Sequence, residues 1–223
     1  MNSMEEYRKI SLDDIERLGP MEIERRSFEI ISEEAGGRIP DDIRAMIIKR
    51  VIHTSADFEY IDNLCFSDGA VEHALEALKN GAWIVTDTNM ALSGINKKSL
   101  QKAGGEAHCF IADEDVAEEA KRLGVTRASV CVDKAAKLER PLIYAVGNAP
   151  TALVRLYELI QEGKIRPELI IGVPVGFVNV VQSKELIMQT DIPYIVARGR
   201  KGGSNVAACI CNALLYLLDG SRR

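Results

Sequence analysis

A histidine at the end of a predicted helix is the first candidate for chemistry in this sequence. Apolar residues precede it at helical spacing, at Ile43, Met46, Ile47 and Val51. The predicted helix covers residues 41–53, so His53 lies in the last turn, where the negative end of the helix dipole favours a protonated imidazolium. Because histidine changes charge near neutral pH, His53 is suited to donate a proton. The alternative is a structural histidine that caps the helix by binding its last carbonyl groups.

A loop rich in glycine and basic residues is the second candidate. Residues 198–205 read Arg-Gly-Arg-Lys-Gly-Gly-Ser-Asn and lead directly into an apolar helix predicted over 204–218. Free amides at a helix N-terminus, together with flexible glycines and nearby arginines, form a site for an anion. The order of glycine, lysine and hydroxyl residues excludes a Walker A phosphate loop. The alternative is a solvated basic loop that binds nothing.

The third candidate is the predicted strand-to-helix turn over 147–153. Asn148 or a neighbour can cap the helix that follows, and Pro150 suits its first turn. The segment lacks the GxGxxG pattern of dinucleotide-binding turns. A structural turn and a ligand contact are both open here.

The other chemistry-bearing residues predict no further site. His73 lies in a predicted helix and His108 in a predicted strand, without partners at metal-ligand spacing, so both are expected to be structural. The five cysteines include no CxxC pair, and no Ser-His-Asp or Cys-His order can be defended. We therefore expect reduced thiols and no resident metal.

Composition excludes several classes of protein. With 223 residues, of which 47% are apolar, the chain can form one α/β domain spanning residues 1–223. The net charge of −5 argues against a nucleic-acid partner but allows a local basic pocket for an anionic small molecule. No apolar run is long enough to span a membrane, and the N-terminus does not resemble a signal peptide. We expect a cytoplasmic protein.

The elements that position these candidates alternate along the chain. Short apolar runs predict strands over 82–85, 107–111, 128–132, 142–146, 169–173 and 194–197. Helical patterns lie between or beside them, over 68–80, 114–123, 151–162 and 204–218. Two further helices, over 20–35 and 41–53, precede them. The pattern predicts a doubly wound, mainly parallel sheet flanked by helices, with the N-terminal helices packed on the same domain.

In such sheets, ligands bind at the carboxyl ends of the strands. The segments that follow the predicted strands are small, polar or rich in glycine, over 86–90, 147–151, 174–177 and 198–204. Ligand-binding residues are therefore to be sought in these segments.

Taken together, these segments resemble the precorrin-8X methylmutase family, including its cobalt-precorrin-8 branch. The resemblance covers nearly the whole chain in order, through Arg26-Ser27-Phe28, His53-Thr54-Ser55-Ala56-Asp57, Thr86-Asp87 with Met90, Gly124-Val125-Thr126-Arg127, 147–153, 172–178, Ser183-Lys184-Glu185 and 199–204. Asn179, Val180 and Gln182 depart from it, since Gly, Ala and Glu are expected there.

The resemblance implies a homodimeric α/β isomerase that moves a methyl group from C11 to C12 of precorrin-8X or cobalt-precorrin-8. The product would be hydrogenobyrinate or cobyrinate, in cobalamin biosynthesis, and no cofactor is implied. The histidine matched by His53 is the family's catalytic residue, thought to protonate the nitrogen of ring C. The resemblance thus favours catalysis over capping.

The chemistry of the remaining residues is compatible with a tetrapyrrole that carries carboxylate side chains. Basic groups and glycine-rich backbone are natural partners for those carboxylates, at Arg127, Arg198, Arg200, Lys201, Gly202, Gly203 and Ser204. Neutral hydrogen bonds are expected from Ser27, Thr86 and Thr151. Aromatic residues make up only 5% of the chain, so the ring would rest on walls such as Met90, Val175 and Phe177.

Two other functions fit the same residues. A non-catalytic tetrapyrrole carrier would use the same basic and apolar pocket, with His53 as a binding residue only. An unrelated α/β enzyme would bind a phosphorylated metabolite at 199–204.

Overall fold

Six short strands form one sheet in residues 10–220, the part of the chain that the computed structural model describes. In chain order they are β1 (Leu64–Phe66), β2 (Trp83–Thr86), β3 (Ala107–His108), β4 (Leu142–Val146), β5 (Leu169–Gly172) and β6 (Tyr194–Ala197). Their order across the sheet is β1-β6-β5-β4-β2-β3. Only the edge strand β1 runs antiparallel to its neighbour, and the other described pairs are parallel.

Helices cover both faces of this sheet. They are α1 (Pro20–Ala35), α2 (Arg44–Ser55), α3 (Tyr60–Asn63), α4 (Ala70–Lys79), α5 (Asn89–Gly94), α6 (Lys97–Lys102), α7 (Glu114–Leu123), α8 (Arg127–Ala135), α9 (Pro150–Gln161), α10 (Val180–Met188) and α11 (Ser204–Asp219). The doubly wound, mainly parallel α/β fold predicted from the sequence is confirmed. None of the described helices is both long and apolar enough to cross a bilayer.

The core alternates across the central strand β4, all of whose residues are buried. Ile143 and Ala145 point to the face covered by α2, α4 and α11, whereas Tyr144 and Val146 point to the face covered by α8 and α9. A strand buried on both faces reads as a continuous apolar run, which is why its sequence predicted it well.

The predicted strand over 128–132 is wrong, because these residues belong to α8. Thr126 caps the helix through its hydroxyl, which accepts a hydrogen bond from the Ser129 amide at 3.2 Å. Ala128, Val132 and Ala135 then fall on one buried helix face. A short, continuously apolar run cannot be assigned to a strand or a buried helix by periodicity alone.

One further strand prediction needs correction, and one strand was not predicted. The run over 107–111 pairs only at Ala107 and His108. The edge strand β1 was missed, since three residues are too few to show a two-residue period.

Candidate active site

The loops that follow β2, β4, β5 and β6 meet at the carboxyl edge of the sheet. The Gly203 amide donates to the Val173 carbonyl at 2.9 Å, which joins the loops after β6 and β5. The hydroxyl groups of Thr88 and Ser204 are 2.7 Å apart, which joins the loop after β2 to the start of α11. The loops after β2 and β5 therefore both contact the segment that connects β6 to α11.

His53 lies in the last turn of α2 with its side chain exposed to solvent. Its ring contacts Phe28 of α1 edge to face, with centroids 5.4 Å apart and planes at 67°. Within residues 10–220 the imidazole has no hydrogen-bond partner. The end of α2 is capped instead by the Ser55 hydroxyl, which donates to the Val51 carbonyl, and by the Ala56 amide. The capping alternative for His53 is therefore wrong.

Lys201 joins the His53 segment to the basic loop. Its ammonium lies 2.5 Å from Asp57 Oδ2 and 3.0 Å from Glu59 Oε2. The hydrogen bond from Lys201 lowers the pKa of Asp57. This ion pair places the segment that follows His53 beside residues 198–203, and it occupies the lysine that the sequence suggested for a substrate carboxylate.

The two arginines of the loop have different partners. Arg198 forms two hydrogen bonds with Glu185 of α10, at 2.9 and 3.3 Å. The Arg200 guanidinium lies over the ring of Phe177, 5.4 Å from its centroid, and has no carboxylate partner among the described residues. Arg200 is therefore the cation of this loop that is available to an anion.

The glycines of the loop allow a close backbone approach. A Cβ on Gly202 would lie 2.0 Å from the Val173 carbonyl oxygen, and Gly202 has a φ of 158°. The helix α11 begins directly afterwards at Ser204, so the first amides of that helix lack intrahelical acceptors and face the loop. This arrangement is suited to a negatively charged ligand.

A buried lysine forms hydrogen bonds with the backbone of the basic loop. Lys184 of α10 has no exposed surface, and its ammonium donates to the carbonyl groups of Gly199 at 2.8 Å and Lys201 at 2.9 Å. Burial lowers the pKa of Lys184 to about 8. The sequence analysis assigned it no role, although it lies in a segment that carries the family resemblance.

Asp87 is a second functional residue that the sequence analysis did not select. Its buried carboxylate accepts amide hydrogen bonds at 2.7–2.8 Å from Gly147, Asn148 and Ala149. Burial raises the pKa of Asp87, while the three amides act against this effect by stabilising the carboxylate. The turn after β4 is thereby held against the end of β2.

The hydroxyl residues predicted to bind substrate lie at or near this edge. Thr86 is fully buried, and its hydroxyl donates to the Thr88 carbonyl at 3.1 Å, so it faces protein rather than solvent. The hydroxyl groups of Thr151 and Thr126 are 2.8 Å apart, which places the exposed Arg127 at the start of α8 beside the start of α9. Ser27 donates to the Ile23 carbonyl within α1 and precedes Phe28, the neighbour of His53.

Two grooves lie near these residues. A groove of about 380 Å³ runs from Thr54 to Met90 and Asn205, and Met90 on its wall is 71% exposed. A larger groove of about 970 Å³ lies between α1 and α2, but carboxylates line much of it, at Glu22, Glu24, Glu29, Glu33 and Asp42. The smaller groove, which adjoins the basic loop, is the better fit for an anionic ligand.

The fold and the site together define a doubly wound α/β protein in which a basic, glycine-rich loop contacts the segment that follows an exposed histidine. In residues 10–220, no cluster of three or more His, Cys, Asp or Glu side chains could hold a metal ion. Comparison with known proteins identifies the family. The model of the precorrin-8X methylmutase family matches residues 22–217, and the chain belongs to that family. It is an isomerase of the intramolecular-transferase class, as the sequence predicted.

Relatives in several organisms share most of the chain. The cobalt-precorrin-8 methylmutase of Salmonella typhimurium is 47% identical over 205 residues, which cover 89% of this chain and 96% of the relative. That of Priestia megaterium is 45% identical over 200 residues, covering 90% and 89% of the two chains. The structure of precorrin-8X methylmutase from Thermus thermophilus superimposes with a TM-score of 0.81 at 39% identity, over 89% of this chain and 98% of that one.

Proposed function

We propose that this protein transfers a methyl group from C11 to C12 within precorrin-8X or cobalt-precorrin-8, with His53 as the proton donor. The product is hydrogenobyrinate or cobyrinate, in cobalamin biosynthesis. The observation that carries the proposal is the position of His53: its imidazole is exposed and has no hydrogen-bond partner among the described residues, and Lys201 joins its segment to the basic loop. The proposed proton donor thus lies on a segment that contacts the loop proposed to bind carboxylates.

The proposed reaction requires no covalent bond between the protein and the substrate. The methyl group migrates within one molecule, so the protein needs no nucleophile. Proton donation by His53 to the nitrogen of ring C makes the conjugated system electron-poor and promotes the migration, and such acid catalysis contributes about 10²–10⁴-fold. The walls of the site hold the ring in place for this transfer.

The basic side chains of the site differ in whether they are free to bind a carboxylate of the substrate. Arg200 and Arg127 are exposed and have no carboxylate partner within the described residues, so they are the first candidates. Arg198 and Lys201 are paired with protein carboxylates and would have to exchange those partners. Backbone amides of 199–204 complete the anion site.

Exposed apolar side chains supply the walls for the ring. Met90, Val175, Phe177 and Val178 remain exposed at the carboxyl edge. A second copy of the chain that covers part of this surface would remove it from water, so the proposal includes a homodimer. It also includes a single domain over residues 1–223 and a cytoplasmic location.

The visible spectrum tests this function against its two rivals. We expect that mixing the protein with precorrin-8X, and separately with cobalt-precorrin-8, converts at least one substrate to a product with longer conjugation and a new spectrum. A carrier protein would only perturb the starting bands, and a phosphate enzyme would leave them unchanged. Either of these two results with both substrates would refute the proposal.

A further inference from the structure

Hydrogen bonds hold the backbone carbonyl groups of the basic loop. Four loop residues have carbonyl groups that accept such bonds: Gly199, Arg200, Lys201 and Gly203. Two of these bonds come from the single ammonium group of Lys184. The other two come from the amides of Gly176 and Ala207.

This arrangement determines where two amide groups point. In a trans peptide unit, the C=O of one residue and the N–H of the next point in opposite directions. Because Lys184 draws the carbonyl groups of Gly199 and Lys201 inward, the N–H groups of Arg200 and Gly202 are turned to the outer side of the loop. That is the side that carries the exposed Arg200 side chain.

Lys184 is an unusual group for a purely structural position. It is completely buried, and its ammonium contacts carbonyl oxygens rather than a carboxylate. Burial of a charged amine is costly unless its hydrogen bonds are used. The long side chain of Lys184 extends from α10 to the carbonyl groups of Gly199 and Lys201. An aliphatic side chain of the same length has no hydrogen-bond donor and could not bind them.

We propose that Lys184 is a positioning residue that orients the peptide units 199–200 and 201–202, so that the N–H groups of Arg200 and Gly202 bind a carboxylate of the substrate. This inference rests on the proposed function for the identity of the ligand. The orientation of the loop does not depend on that function and is measured separately.

The first measurement uses the free protein. Lys184→Met keeps the length of the side chain but removes all donors. Amide exchange at Gly176 and Gly203, whose N–H groups are bonded only while the loop is in place, should become about tenfold faster or more. Exchange in β4 should be unchanged. Lys134→Met is the matched control, because Lys134 also binds two protein groups, Asp113 and Asp115, and lies away from the loop.

The second measurement uses hydrogenobyrinate as the probe. In the unmodified protein, nuclear magnetic resonance should show downfield shifts of the Arg200 and Gly202 amide protons on titration. In Lys184→Met these shifts should be lost, and the dissociation constant should rise about tenfold or more, on the order of one charged hydrogen bond. KM should rise more than kcat falls, since the chemical step depends on His53.

The outcomes separate the inference from the proposed function. Unchanged exchange at Gly203 in folded Lys184→Met, or equally faster exchange in β4, would overturn the positioning role. If Lys184→Met does not fold, Lys184→Gln, which has a shorter side chain, is judged by the same two criteria. If the unmodified protein neither binds hydrogenobyrinate nor converts substrate, the proposed function fails, while the exchange data still decide the role of Lys184 in the loop.

Discussion

At the scale of single residues, three side chains near the site differ in what they contact. His53 is exposed and has no hydrogen-bond partner in the described part of the chain, Lys201 is held by two carboxylates, and Lys184 is buried against carbonyl groups. Only the first is free to exchange a proton with a substrate. The other two shape the loop, so their replacement should affect binding and stability before chemistry.

Replacing His53 by alanine should lower the rate of the rearrangement about 10²–10⁴-fold, because the proton donor is lost. Folding and affinity for the product should change little, since the imidazole is exposed and forms no hydrogen bond with residues 10–220. Single-turnover spectroscopy measures the rate. His73→Ala is the control. His73 binds Glu168 at 2.8 Å, and Glu168 directly precedes β5 in sequence, at the opposite edge of the sheet. Near-normal turnover in His53→Ala would contradict the assignment.

The low pKa of Lys184 predicts how stability depends on pH. In the folded protein its pKa is about 8, against 10.5 for an ordinary lysine. Between these values the unfolded chain binds more protons than the folded protein, so this group makes the protein more stable as pH rises from 8 to 10.5. The gain is about 3 kcal/mol. Below pH 8 the full cost of burying the charge is present.

Chemical unfolding of the unmodified protein and Lys184→Met across this range measures the effect. The difference between their free energies of unfolding should move in favour of the unmodified protein as pH rises. A constant difference would show that Lys184 has the same pKa in both states.

At the scale of elements, the site depends on close contacts between loops rather than on any one helix or strand. Asp87 holds the turn after β4 to the end of β2, and Gly202 lies against the carbonyl group of Val173 after β5. Asn179, where the family resemblance leads one to expect glycine, has a φ of 57° at the start of α10. Asparagine tolerates this left-handed conformation better than most residues, so the departure keeps the turn.

Gly202→Ala tests the contact between two of these loops. The added Cβ would lie 2.0 Å from a backbone oxygen, so the loop must move. Product affinity should fall by about tenfold or more, and stability by about 2 kcal/mol. Gly199→Ala is the matched control, because Gly199 also has a positive φ but no atom within 4 Å of the new Cβ. Equal effects of the two substitutions would show that backbone strain, rather than the close contact, is responsible.

At the scale of the whole molecule, an acidic protein of net charge −5 must concentrate positive charge to bind a polyanionic ring. The sequence suggested three available cations in the basic loop, but of these three only Arg200 has no carboxylate partner within residues 10–220. The electrostatic attraction at this loop is therefore concentrated at one side chain and the adjacent amides.

Arg200→Gln should weaken binding of the product about tenfold at low salt, and by less at high salt, since screening reduces interactions between exposed charges. The chemical step at saturating substrate should change little. Titration with the coloured product at two salt concentrations measures both effects. Arg166→Gln is the control, because Arg166 precedes β5 and pairs with Asp191 away from the site. Unaltered affinity at both salt concentrations would show that Arg200 does not bind the ligand, and would favour the alternative of a solvated basic loop.

The sequence by itself predicted five of the six described strands and the six described helices of ten or more residues. Buried parallel strands and amphipathic helices have periodic patterns that local sequence carries, and the helix that ends near His53 was found in this way. The same local signal failed at 128–132, where an apolar run fits a strand and a buried helix equally well. It also failed at β1, which is too short to show a period.

Only the tertiary structure decided which charges remain available at the site. Lys201 meets Asp57 across 144 positions of sequence, and Lys184 meets the loop from another helix. The roles of Asp87 and Lys184 likewise depend on backbone groups brought together by the sheet. The sequence shows which charged residues the chain contains. The packing of distant segments decides which charges become partners, because electrostatic and hydrogen-bond energies depend on distance in space.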